Sequence, residues 1–375
     1  MVLEQPPRDL VREGMEFFRR VPSLAPRDIF AKLEKMGYRG QDHARRVISL
    51  MAYRHVKRLK KLYVDGVQRT LLPTKTNYLL MGPTGCGKTH LVELLFQQIL
   101  KVPTVIIDIT GFSETGYVGD DTKTILTRLL VAANNNPVIA SGGVVCLDEF
   151  DKLASSQSNA RFDGQGTTKD VSGYGVQKEL LRMMESSEVF VPLDFNNTLY
   201  SPKQGLFTGD IAFVACGAFS GFKITSNWRS REDHIGFRRR PKATAGTTIA
   251  VDFEDSEISD IENFQAHGFL PELMARFTRI VALRPLDRPT LKQIMMDNVI
   301  DKFRREFQEE GLELMVEDPV LDHIVDMALK RQTGARGLVS LLTSKLEDCA
   351  YQTFCEKKGR VVMKMKGDKL EWELR

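Results

Sequence analysis

Cysteine is scarce and unpaired in this 375-residue chain. The five residues Cys86, Cys146, Cys216, Cys349 and Cys355 include no C-x-x-C pair, which argues against a zinc ribbon or thioredoxin-type redox chemistry. Long apolar runs are missing as well: none approaches the ~18 residues of a membrane span. The first residues, MVLEQPPRDLVREGMEFF, hold no signal-peptide apolar core, so a cytoplasmic protein without a membrane partner is expected. An excess of one charge sign is also lacking. A net charge of +4 is slight for this length, and nucleic acid is not an expected partner on that ground. No internal repeat is visible.

What is present is an ordinary globular composition, 42% hydrophobic and 27% charged, with length enough for two or three compact units. Residues 1–27 carry prolines at 6, 7 and 26 and read as a weakly structured lead-in with one short helix. Residues 28–63 read as helices, with Ile29, Leu33, Val47, Ile48, Met51, Ala52 and Val56 at helical spacing. The basic run 54–61 reads as a solvated helix face, a nucleic-acid patch being the alternative.

From 76 to about 220, strand patterns at 78–81, 104–108, 143–147, 189–193 and 211–216 alternate with helix patterns at 88–101, 122–134 and 175–186. Such alternation predicts an α/β fold with a mainly parallel sheet flanked by helices. Residues 155–173 are polar and glycine-rich and are expected to be a mobile loop. Residues 225–263 are irregular, basic at first and then acidic. Beyond Pro285 the pattern turns helical, with Pro289 suited to a first helical turn, and 361–374 read as a β-hairpin. The predicted organisation is a lead-in (1–27), a large nucleotide-binding domain (28–284) and a smaller, mostly helical domain ending in that hairpin (285–375).

The strongest motif is Gly82-Pro83-Thr84-Gly85-Cys86-Gly87-Lys88-Thr89, which fits G-x-x-x-x-G-K-[ST] between a strand pattern and a helix pattern. Such a loop turns backbone N–H groups toward phosphate at a helix N-terminus. Lys88 can reach the β and γ phosphates of ATP, and the Thr89 hydroxyl can hold Mg²⁺. His90 follows directly. A chance glycine-rich turn is the bland alternative, and eight residues in register weigh against it. About 60 residues on, the apolar run 144–147 ends in Asp148-Glu149. There Asp148 can support Mg²⁺ and Glu149 can polarise the attacking water, unless the pair merely opens a helix. Phosphoryl transfer also needs positive charge; Arg276 and Arg336 are candidates that spacing alone does not separate from surface arginines.

Taken in order, GYRGQDHA (37–44), the phosphate loop, GYVGDD (116–121), LDEFDK (147–152), KDVSGYGV (169–176), GAFSGF (217–222), FLPELMAR (269–276) and TGARGL (333–338) resemble the Clp/HslU unfoldase family of AAA+ ATPases, in its ClpX-like branch. The resemblance spans about residues 28–358. It implies an ATP-dependent unfoldase that forms homo-hexamers and threads unfolded or tagged proteins through an axial pore to a ClpP-type peptidase. Tyr38 and Arg39 would lie at the nucleotide. Arg276 would be the finger reaching a neighbour's ATP, and Arg336 the sensor. Tyr117 and Val118 would grip substrate in the pore, and Asp170, Val171, Ser172, Gly173 and Tyr174 would belong to a second pore loop. Ile235-Gly236-Phe237 would dock on the peptidase.

Some positions depart from the family. No cysteine-rich zinc module precedes residue 28. Lys203 alone stands where a basic cluster borders the pore. Arg39 replaces an apolar residue, and Tyr174 replaces a glutamate. A non-proteolytic remodeller of one protein complex is the second reading. A nucleic-acid-stimulated ATPase is the third, against which Tyr117 in GYVG argues.

Overall fold

The computed structural model describes residues 7–113, 120–154, 171–185, 187–192, 203–222, 253, 255–331, 334–354, 358–367 and 369–375. Of the loop expected at 155–173, residues 155–170 lie outside them, and 171–173 are helical instead. The chain divides into two compact units: the first holds residues 1–32, 43–82 and 88–283, the second 33–42, 83–87 and 284–375.

The first unit is built on a five-stranded parallel sheet. In chain order its strands are β1 (Tyr78–Met81), β2 (Thr104–Asp108), β3 (Val144–Asp148), β4 (Ala212–Gly217) and β5 (Arg279–Ala282); in space they run β2-β3-β4-β1-β5. β1 and β4 are buried along their whole length, so they carry continuous apolar runs rather than an alternating pattern, as strands covered on both faces do. Here four of the predicted strands hold to within one residue. The fifth prediction, 189–193, does not join this sheet. Glu188–Pro192 pairs antiparallel with Lys203–Phe207 in a separate two-stranded ribbon, and its edge alternates exposed and buried positions. β5, which closes the sheet, has only four residues, of which only Val281 is buried, and so carries no strand pattern of its own.

The lead-in is more ordered than its prolines suggested. Arg8–Arg20 is a 13-residue helix that lies against the short helix Pro137–Ser141. The contact is close: a Cβ on Gly14 would lie 2.5 Å from Val138 Cγ1, and one on Gly142 would lie 2.4 Å from the Phe18 ring. Phe18 is fully buried and stacks on Tyr63 at 4.7 Å. Asn136 caps the short helix and donates back to Leu10 O at 3.0 Å. Part of the stretch read as irregular is also helical. Asp255–Ser259 and Ile261–His267 form helices, and Ile258 and Phe264 join Phe150, Phe219, Phe222 and Phe269 in the core.

The second unit packs Arg288–Ile294, Asp301–Glu309, Asp318–Lys330 and Gly334–Thr353 around Ile300, Phe307, Leu321, Ile324, Leu338 and Leu342. The terminal hairpin forms between Gly359–Lys366 and Lys369–Leu374. It is not alone, because Leu312–Val316 adds a third strand, parallel to Gly359–Lys366. That strand alternates buried and exposed residues, a period-two signal too short to stand out between two helices. Among the described residues no helix is long and apolar enough to cross a membrane.

Helix Asp42–Tyr63 places His55 in the interior of the first unit, where its Nε2–H donates to Gly142 O at 3.0 Å. Burial pushes the imidazole down from 6.5 to about 4, the hydrogen bond opposing it. The folded chain therefore keeps His55 neutral where the unfolded chain has already taken a proton. Stability should fall as pH drops from 6.5 to about 4, by about 3 kcal/mol at the lower end from this group. His55→Gln should flatten that part of a plot of urea midpoint against pH; an unchanged slope would assign the loss to other groups.

Candidate nucleotide-binding site

Four of the sequence-predicted residues meet at the tips of β1 and β3 in the first unit. Lys88, at the start of the helix Lys88–Val92, is buried and donates to Gly82 O at 2.7 Å. The next residue, Thr89, donates from its hydroxyl to Asp148 Oδ2 at 2.8 Å. Asp148 Oδ1 accepts from the N–H of Glu149 at 3.0 Å. Glu149 itself stands in left-handed backbone, φ 53° and ψ 31°. That conformation costs a non-glycine residue about 1–2 kcal/mol, and such outliers cluster where geometry serves chemistry. β2 ends beside them, Asp108 in register with Asp148. Hydrogen bonds from the Thr110 hydroxyl and N–H hold Asp108 below the usual carboxylate range.

A hydroxyl and a carboxylate 2.8 Å apart form a hard-oxygen donor set that fits Mg²⁺, an ion that takes its remaining ligands from phosphate and water. Among the described residues no group of three or more His, Cys, Asp and Glu side chains is placed to hold a metal ion.

The backbone that carries Lys88 is set by close approach. Gly82 N donates to Gly217 O, and a Cβ on Gly82 would stand 2.6 Å from Leu283 O. The neighbouring turn is fixed from below by Asp151, a buried carboxylate that accepts from Ala218 N at 2.9 Å. Its position in LDEFDK was visible in the sequence, but this role was not. Asn77 is a second residue that sequence reasoning missed: it binds Phe213 N and Arg276 O, joining β4 to the segment that ends at Arg276.

Pro83, Thr84, Gly85, Cys86 and Gly87 group with the second unit. Tyr38 is buried against Gly87, its hydroxyl donating to Gly87 O at 3.3 Å. Gly87 has φ 92°, and a Cβ there would meet the Tyr38 ring at 3.2 Å. Cys86 is buried, so it is a packed small residue of the loop. Arg39 forms a two-pronged ion pair with Asp297 at 2.6 Å and approaches Glu34 at 3.8 Å. Arg39 is thereby held by ion pairs inside this unit. Gly334 also packs on the loop: Ala335 N donates to Gly85 O at 3.2 Å, and Gly334 has φ 55°. Two residues on, Arg336 is exposed, with no ion-pair partner among the described residues.

The remaining predicted positions fall elsewhere. His90 points to Glu93 at 3.4 Å. Arg276 is exposed and pairs with Glu185 at 2.6 Å within the same unit. Val171, Ser172, Gly173 and Tyr174 do not form a loop but begin the helix Val171–Met184. Buried Val176, Leu180, Met183 and Met184 set that helix, and Gln177 fastens it by donating to Leu153 O and accepting from Leu270 N. Tyr174 is exposed beneath the Lys178 ammonium, 4.4 Å from its ring centroid. Tyr117, Val118, Asp170 and Ile235, Gly236 and Phe237 lie outside the described residues.

The fold and the site define a phosphate-loop ATPase. Residues 73–280 match the family model of the AAA domain (Cdc48 subfamily), and residues 286–363 that of the C-terminal, D2-small domain, of ClpB protein. ATP-dependent Clp protease ATP-binding subunit ClpX of Azotobacter vinelandii is 36% identical over 322 residues, 83% of this chain and 70% of its own length. The subunit of the same name from Bacteroides thetaiotaomicron is 35% identical over 85% of this chain and 75% of its own length. That of Porphyromonas gingivalis is 33% identical over 95% and 86%. The chain belongs to the AAA ATPases, as a ClpX-like member of the Clp family.

Gly334→Ala should disturb the loop from the second unit. The new Cβ would lie 2.8 Å from Gly85 O in a backbone region that disfavours side chains, a penalty of about 1–3 kcal/mol. Lower thermal stability and weaker binding of a fluorescent ATP analogue are expected; wild-type values for both would show that the helix start does not hold the loop.

Proposed function

We propose that this chain is the ATP-driven unfolding subunit of a Clp-type protease. The observation that carries the reading is the hydrogen bond of Thr89 to Asp148 beside Lys88, with the adjacent Glu149 held in strained backbone. Lys88 leaves the Gly82 carbonyl for the β and γ phosphates of bound ATP. Thr89 and Asp148 would hold Mg²⁺, which would supply charge neutralisation for phosphoryl transfer. Glu149 orients the attacking water and draws its proton. The strained backbone aims that carboxylate before ATP arrives, so no reorganisation is needed at the chemical step.

A hexameric ring supplies the missing positive charge. Arg276 is exposed, as a finger acting on a neighbour's nucleotide must be. Arg336, exposed at the start of its helix, reports nucleotide state to the second unit. Within the ring, Tyr117 and Val118 between Gly116 and Gly119 press on a threaded chain without reading its sequence. The segment Asp170–Tyr174 lines the same path lower down. Ile235-Gly236-Phe237 inserts into a ClpP-type peptidase. The relatives' printed names, subunits of an ATP-dependent Clp protease, support that partner, and the expected setting is the cytoplasm.

Tyr117→Ala should keep ATP hydrolysis and lose the unfolding of a tagged fluorescent protein. Intact unfolding would sink the pore assignment, while lost hydrolysis would point to a folding defect in the ring. Removal of Ile235, Gly236 and Phe237 should leave unfolding untouched and abolish degradation by an added ClpP-type peptidase. Undiminished degradation would favour a chain whose tripeptide is incidental and whose task is to remodel one complex.

A further inference from the structure

The basic run of helix Asp42–Tyr63 does not end as a plain solvated face. Arg54, Lys57, Arg58 and Lys61 stand at i, i+3, i+4 and i+7, on one side of that helix. The following loop brings Lys75 opposite them, and together with His55 they line a cavity of 320 Å³. Leu72 and Pro73 supply an apolar wall, and no carboxylate is among the lining residues.

The nearest buried acid is already engaged. Asp210 is fully buried; its Oδ1 accepts from Arg58 at 3.0 Å, and its Oδ2 from Tyr63 and Arg69, both at 2.9 Å. Lys75 donates to a carbonyl, Thr208 O at 2.8 Å, and lies over the Phe213 ring. Lys57 donates to the Tyr53 hydroxyl and lies over its ring. Arg54 and Lys61 have no ion-pair partner among the described residues. Four cations thus converge on one cavity without a carboxylate to neutralise them, an arrangement whose mutual repulsion a multivalent anion reverses. The lysines offer point charges and Arg54 a planar fork, the combination that binds phosphate oxygens. A monocarboxylate would balance one charge of the four. The volume is near the lower end of the ~300–1,000 Å³ range of ligand sites, which suits a compact ligand. A single strand of nucleic acid would need a groove with open aromatic faces, and the one ring here, Tyr53, is covered by Lys57.

We propose that this cavity binds a compact polyphosphate anion of the diphosphate class, at a site separate from the phosphate loop at 82–89. The burial of Lys75, which lowers its ammonium to about 8, leaves that group as the one whose charge a bound anion would stabilise most.

Calorimetric titration with inorganic pyrophosphate tests this. The full chain carrying Lys88→Ala, which weakens the phosphate loop, is compared with the same chain carrying Arg54→Gln, Lys57→Gln and Lys61→Gln as well. The first should bind pyrophosphate in a salt-sensitive manner, and the second about tenfold or more weakly. The three glutamines placed in the otherwise unaltered chain should keep ATP hydrolysis, which checks folding. ADP titrated beside pyrophosphate separates a nucleotide-borne diphosphate from the free anion, and tighter binding of either supports the site. Equal affinity in the two chains, or no binding to the first, overturns it. So does binding of a single-stranded oligonucleotide without pyrophosphate, or loss of ring assembly in the glutamine variant without any pyrophosphate binding to the parent, which would make the cavity a subunit contact.

Discussion

The site depends on one backbone approach, that of Gly82 to Leu283 O, which leaves no room for a Cβ. Because the chain can leave β1 only along that path, Gly82 meets Gly217 O at the end of β4 and turns its own carbonyl to Lys88. The helix that follows is then placed so that Thr89 reaches Asp148, 59 residues further on. Parallel order does the rest: β1, β3 and β4 point their C-terminal ends the same way, so two distant segments deliver a lysine and a hydroxyl, and two carboxylates, to one edge. Ligands of open α/β sheets bind at that edge for this reason.

Two kinds of electrostatic environment coexist in the first unit. At the sheet edge, Asp148 and Glu149 are only half-buried, and the partners of Asp148 are neutral donors, the Thr89 hydroxyl and the Glu149 N–H. Around Asp210 the charges are fixed: Arg58, Arg69 and Tyr63 surround a carboxylate with no exposure. Burial and the Asp210 charge together push the Tyr63 phenol up, which keeps it a donor to Asp210. Removing one partner from such a buried group leaves the rest uncompensated, typically a loss of about 3–5 kcal/mol. This cluster joins the basic helix to the loop before β1 and thereby holds the strand that carries the phosphate loop.

Much of this was legible in the sequence. The phosphate loop and its flanks, Asp148-Glu149, and the strands at 78–81 and 104–108 announce themselves through local pattern and short-range spacing. What stayed hidden is of other kinds. β5 and Leu312–Val316 are partly exposed and only four and five residues long, too short for a pattern to stand out. Val171–Gly173 looked like the end of a polar, glycine-rich loop, yet Val176 and Gln177 draw it into a helix. The Asp210 cluster, Arg39 with Asp297 and Gly334 on Gly85 link residues between 141 and 258 positions apart. No periodicity reports contacts of that range; only the fold brings them together.

The ion pair of Arg276 with Glu185 gains meaning beside that of Arg58 with Asp210. Both partners of the first are nearly half-exposed, 43% and 47%. A pair so wetted is worth about 0.2–1 kcal/mol, little more than thermal energy. Arg276 can therefore trade its carboxylate for another anion almost without penalty, while Glu185 is left in water rather than stranded. Arg58 has no such liberty. The chain keeps its exchangeable charge where solvent can replace a lost partner, and its permanent charge where solvent cannot.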